Sequence, residues 1–150
     1  MATLSKTLPL RYVAAQVRSL SQPEVTILAW ILRIVTAGAF IGHGAFGAVM
    51  AKEAWFGYFG AVGIDAATVE AASLIGLVGW LEIALGLVIL VKPIRALLLA
   101  IVLWKVGIEF LRPLAGEPLW EFIERASNMI APLALTYVRG WPTALREWLS

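Results

Sequence analysis

Four apolar stretches, each broken by a few ionisable residues, dominate the pattern of the chain. The first runs from Val25 to Met50 and is interrupted only by Arg33 and His43. The second, Val69 to Val91, carries only Glu70 and Glu82 as charges. After the tight turn Lys92-Pro93-Ile94-Arg95, the third reaches Leu114 and holds Lys105, Glu109 and Arg112. The fourth opens with Glu117, Glu121, Glu124 and Arg125 and turns apolar from Ala126 to Val138. A helix needs about 20 mostly apolar residues to cross a bilayer. The pattern therefore predicts an all-α integral membrane four-helix bundle, with spans over about 25–50, 69–91, 94–114 and 120–139.

Local signals place the ends of these helices. Ser21, Pro23 and Glu24 read as an N-cap with a capping box for the first helix, and Asp65 is a candidate cap for the second. Between them lies an aromatic loop with Trp55, Phe56, Tyr58 and Phe59. Residues 1–24 form a cytoplasmic arm and 142–150 a cytoplasmic tail. In the arm, Leu10, Val13, Val17 and Leu20 recur at helical spacing opposite Arg11 and Arg18, the pattern of a short amphipathic helix on an anionic surface; a frayed arm is the alternative. No cleaved signal is read there.

Cations near the span ends set the orientation. Lys6, Arg11, Arg18, Lys92, Arg95, Arg139 and Arg146 fall on one side, against Lys52, Arg112 and Arg125 on the other. Both termini are thus expected in the cytoplasm, with Trp30 and Trp141 in the inner aromatic belt and Trp55 and Trp120 in the outer one.

Composition narrows the function. The 150 residues are 61% hydrophobic and 15% charged, which leaves no room for a separate catalytic domain. A net charge of +2, with cations gathered at helix ends, gives no basis for binding nucleic acid. The absence of cysteine excludes dithiol chemistry and thiolate metal sites, and no phosphate-binding loop or nucleophile paired with a base appears. A small solute transporter would call for an internal repeat, and none is visible.

The ionisable groups inside the apolar stretches are the candidate site, because charge at membrane depth is costly and must find partners. Counting residues from the span ends puts Glu82 and Lys105 together near mid-membrane, as an expected ion pair. His43, Glu109 and Asn128 fall in an outer layer, where His43 is expected to bond Glu109 or Asn128. Gly79 and Gly86 share a face with Glu82 and mark close helix packing. Gly42, Gly44 and Gly47 around His43 leave space for a neighbouring backbone or a planar ligand. His43 fits a quinone hydrogen-bond donor or a proton relay, or less readily an axial ligand for haem or chlorophyll. A structural role, in which these pairs fix helix order and register, accounts for the same residues. Arg33 reads as a headgroup contact, and Trp80 and Trp104 first as packing or lipid-facing residues.

Several of these residues together resemble the DoxX-like family of small four-helix bacterial membrane proteins. They are Arg33 leading to Gly38 and His43-Gly44, Gly57 through Ile64, and Gly79-Trp80-Leu81-Glu82 followed by Gly86-Leu87. Members often place a Lys soon after the His-Gly pair, whereas Ala45 to Met50 are uncharged here. The resemblance implies a bacterial inner (cytoplasmic) membrane location. It also implies a subunit associated with a quinone-linked redox or energy-converting complex; the alternative is a non-catalytic accessory subunit packed on a larger respiratory or photosynthetic complex. Other membrane subunits and the lipid bilayer are the expected partners.

Overall fold

The computed structural model describes residues 20–51, 53–65 and 68–150; the expected arm helix, apart from its last residues, and Lys52 lie outside them. All regular structure among the described residues is helical. The elements are α1 (Gln22–Ala48), α2 (Ala54–Ala61), α3 (Val69–Val91), α4 (Arg95–Leu114), α5 (Leu119–Glu124), α6 (Ser127–Val138) and α7 (Leu145–Trp148). Among the described residues, α1 and the Ala71–Val91 stretch of α3 are long and apolar enough to cross a membrane.

Capping explains where α1 and α3 begin. Glu24 accepts from the backbone N–H of Ser21 at 2.7 Å and from its hydroxyl at 2.6 Å, closing the expected box. For α3 the cap is Thr68, not Asp65. Its hydroxyl accepts from Ala71 N–H at 3.1 Å and donates to the Asp65 carbonyl at 2.9 Å, so the Asp65 backbone joins the turn that Thr68 caps.

The tightest packing joins α1 to α3. A Cβ on Gly79 would strike the backbone of Gly44 and Ala48; one on Gly86 would meet the Ala37 carbonyl at 2.9 Å. These glycines let the two backbones touch, as expected from their shared face. Helix α1 also packs on α6, and α6 on α4. One core, with Ala37, Phe40, Ile89, Leu98, Ile101 and Leu135, ties α1, α3, α4 and α6 together.

Two segments depart from expectation. The aromatic loop is helix α2: Trp55, Tyr58 and Phe59 lie at i, i+3 and i+4 and are buried against Ile75 and Val78 of α3. Trp55 is therefore a core residue, not part of an interfacial belt. The fourth stretch is two helices. Arg125 Nη1 takes the Glu121 carbonyl at 2.9 Å, and i to i+3 bonds at Ala126, Asn128 and Met129 turn the chain there. Arg95 ties down the tail. Its Nε donates to the Gly140 carbonyl at 2.8 Å, its Nη2 to that of Arg139 at 2.5 Å and its Nη1 to the Ser150 hydroxyl.

The exterior is apolar and the interior partly charged. Leu77, Trp80, Val91 and Leu103 are exposed, while Glu82, Lys105 and Glu109 are each 0% exposed.

Candidate functional site

Glu82 is the hub of the site. Gly79 and Gly86 lie three residues before and four after it, and the close α1–α3 approach they permit aims its carboxylate between the helices. Oε1 accepts from Lys105 Nζ at 2.8 Å and from Trp104 Nε1 at 2.9 Å, both on α4. Oε2 lies 2.5 Å from His43 Nδ1 on α1. An ionised carboxylate can only accept, so Nδ1 carries the proton and Nε2 is left for another partner. Lys105 also stands over the Phe40 ring, 4.6 Å from its centroid.

The expected Glu82–Lys105 pair is present; the expected bond of His43 to Glu109 or Asn128 is not. Counting rise along each helix separately places His43 too far out. The Gly44 Cα faces Gly79 and Ile83, which brings residue 43 level with Glu82. The His43 ring instead packs on Trp55, with centroids 4.8 Å apart and planes tilted by 36°.

Glu109 organises a second cluster next to the first. Its Oε2 accepts from Arg112 Nε at 2.9 Å, its Oε1 from Asn128 Nδ2 at 3.2 Å, and Arg125 Nε approaches Oε2 at 3.8 Å. Arg112 Nη1 donates to the Tyr58 oxygen at 2.7 Å and to Glu117 Oε2 at 3.0 Å, and Tyr58 donates to Glu117 Oε1 at 2.5 Å. Burial first, and then its hydrogen bond to Glu117, push the Tyr58 phenol up to about 12. At Glu117 burial pulls upward, but the hydrogen bonds from Tyr58 and Arg112 outweigh it and hold the carboxyl below its ordinary value.

All five sequence-derived residues, His43, Glu82, Lys105, Glu109 and Asn128, thus fall into two adjoining clusters. Trp55, Tyr58, Trp104 and Glu117 were not foreseen as members. Trp104 had a readable signal, since an indole N–H in an apolar stretch next to Lys105 needs an acceptor. Tyr58 and Glu117 had none, because their meeting depends on how α2 and the α4–α5 turn fold back.

Between the clusters lies a cavity of about 220 Å³. His43 and Trp55 line it on one side, Arg112, Arg125 and Asn128 on another, and Ala39 and Phe46 complete it. It offers amide and guanidinium donors and the free imidazole nitrogen as an acceptor beside aromatic faces, a set suited to a flat molecule that carries both acceptor oxygens and a hydroxyl. The volume is below the roughly 300 Å³ at which pockets begin to enclose drug-sized ligands, so it suits a single ring rather than a porphyrin. No group of three or more metal-binding side chains occurs among the described residues. Comparison with protein-family models, with curated proteins and with solved structures found no match for this chain.

Proposed function

We propose that the chain is a multi-pass protein of the bacterial inner membrane, with α1, α3, α4 and the α5–α6 pair as its four spans and both termini in the cytoplasm. In this reading it is a DoxX-like subunit of a quinone-linked redox or energy-converting complex and binds a quinone or quinol headgroup beside His43.

The distribution of polarity supports the membrane part. Large apolar side chains face outward while fully buried charges are paired inside, the arrangement favoured where the surrounding solvent is hydrocarbon. Arg112 and Arg125, which weighed against the orientation as outer cations, are engaged by Glu109, Glu117 and Glu121.

One observation carries the quinone part. His43 is held at Nδ1 by a buried carboxylate while its ring lines a cavity rich in hydrogen-bond donors. With Nδ1–H engaged, Nε2 is the atom that can accept a proton from a quinol hydroxyl, and Glu82 stabilises the resulting imidazolium. Asn128 and the guanidiniums suit the acceptor oxygens, and Trp55 and Phe46 the ring.

Binding of decylubiquinone to the full chain in lipid nanodiscs tests this reading through quenching of tryptophan fluorescence. Saturable quenching is expected, weakened at least tenfold in His43→Phe and in Asn128→Ala while both variants stay folded. Equal affinity in wild type and variants would sink the quinone site and leave the accessory, structural role.

A further inference from the structure

A second cavity, of about 250 Å³, lies at the opposite end of the helices from the Glu109 cluster. It is bounded by the start of α1, the α3–α4 turn and the end of α6. Its charged wall is Arg33 and Arg139, and its apolar wall includes Val25, Ala29 and Leu135. Neither arginine forms an ion pair with any described carboxylate. Arg139 Nε is buried without a hydrogen-bond partner, and the charges of Arg95 and Arg33 both act on Arg139. Residues 1–19 contain no Asp or Glu, and Glu24, the last residue of the arm, is engaged by Ser21 at the start of α1.

Three neighbouring guanidiniums with one unsatisfied buried donor call for an anion from outside the chain. Arg33 is already positioned for this. Its Nε donates at 3.0 Å to the Ile89 carbonyl, which lacks its helical partner because Pro93 has no N–H. Its guanidinium also stacks 4.3 Å from the Trp30 ring centroid. The two terminal nitrogens remain for a ligand. On the adjoining face of α1, Ile27, Ile31 and Ile34 are all exposed, so an apolar track leads away from the charged wall.

We propose that this cavity is a binding site for a phosphate group, with Arg33 and Arg139 as its paired forks and with the acyl chains of an anionic phospholipid running along Ile27, Ile31 and Ile34. A soluble phosphate ester carries the same headgroup chemistry without the chains. The lipid source rests on the membrane reading above, which puts this end of the bundle at the inner headgroup level; the site itself is independent of the quinone reading, because His43 lies in the other cavity.

Native mass spectrometry of the full chain in detergent tests the site, with dioleoylphosphatidylglycerol, dioleoylphosphatidylcholine and glycerol 3-phosphate as separate probes. Phosphatidylglycerol is expected to be retained at least tenfold better than phosphatidylcholine. That preference is lost in Arg139→Gln and in Ala29→Phe, which fills the cavity and leaves both arginines in place. Arg146→Ala, outside the cavity, keeps it, and so does His43→Phe, which separates this site from the quinone site. Retention of glycerol 3-phosphate as strong as that of phosphatidylglycerol, and lost in the same two variants, upholds the phosphate site and overturns its lipid source. No preference in the wild type, or one unchanged in both cavity variants, overturns the proposal.

Discussion

His43 Nδ1 and Glu82 Oε2 lie 2.5 Å apart across the α1–α3 interface, and the same carboxylate receives Lys105 on its other oxygen. One buried anion therefore serves two helices at once, and its removal strands a cation. Glu82→Ala is expected to lower stability by about 3–5 kcal/mol, because Lys105 is left buried and uncompensated. Replacing both members, Glu82→Met with Lys105→Met, should cost far less than the single change. Thermal unfolding in detergent, followed by circular dichroism, decides this; a double variant no more stable than Glu82→Ala would contradict it.

Trp104→Phe keeps most of the bulk of the side chain and removes one charge-assisted hydrogen bond to Glu82. The expected loss is roughly 1.5–3 kcal/mol, the usual range for a hydrogen bond to a charged partner. A variant as stable as the wild type would mean that Lys105 and His43 alone satisfy the carboxylate.

The glycines should divide by sign. Gly79→Ala drives a methyl into the α1 backbone and should cost about 1–3 kcal/mol. Gly42→Ala and Gly107→Ala meet nothing within 4 Å and should stabilise by up to about 1 kcal/mol through helix propensity. Melting temperatures of the three variants compare them directly; a uniform effect would argue against the close α1–α3 contact.

Tyr58 gives a pH dependence with a definite direction. Its phenol ionises near 10.0 when free and near 12 in the fold. The unfolded chain thus loses this proton first as pH rises, and the stability tied to Tyr58 falls between about pH 10 and 12 while being complete below 10. Absorbance titration of phenolate should show a late step that Tyr58→Phe abolishes.

Arg95→Ala should release the tail. Its side chain reaches the Gly140 and Arg139 carbonyls, and without it the segment from Gly140 onward loses most of its hydrogen-bonded anchorage. Faster amide exchange over residues 140–150 with unchanged exchange in α3 is the expected pattern.

Hydropathy alone determined that the chain is helical and that α1 and α3 are long and apolar enough to cross a membrane, since a run of apolar residues is a one-dimensional property. The Ser21 cap and the close packing at Gly79 and Gly86 were legible for the same reason: caps and helix faces depend on neighbours a few residues away. The Glu82–Lys105 pair could be read as well, because two costly charges at similar depth have few other partners. The tertiary structure alone decided the partner of His43. Its level is set by backbone contact at Gly44, not by counting from the helix end. The same holds for Trp55, Tyr58 and Glu117, which meet the site only because α2 and the α4–α5 turn fold over it, and for Arg125, whose side chain breaks the fourth stretch in two. Those positions follow from contacts between segments far apart in the chain, and no local pattern encodes them.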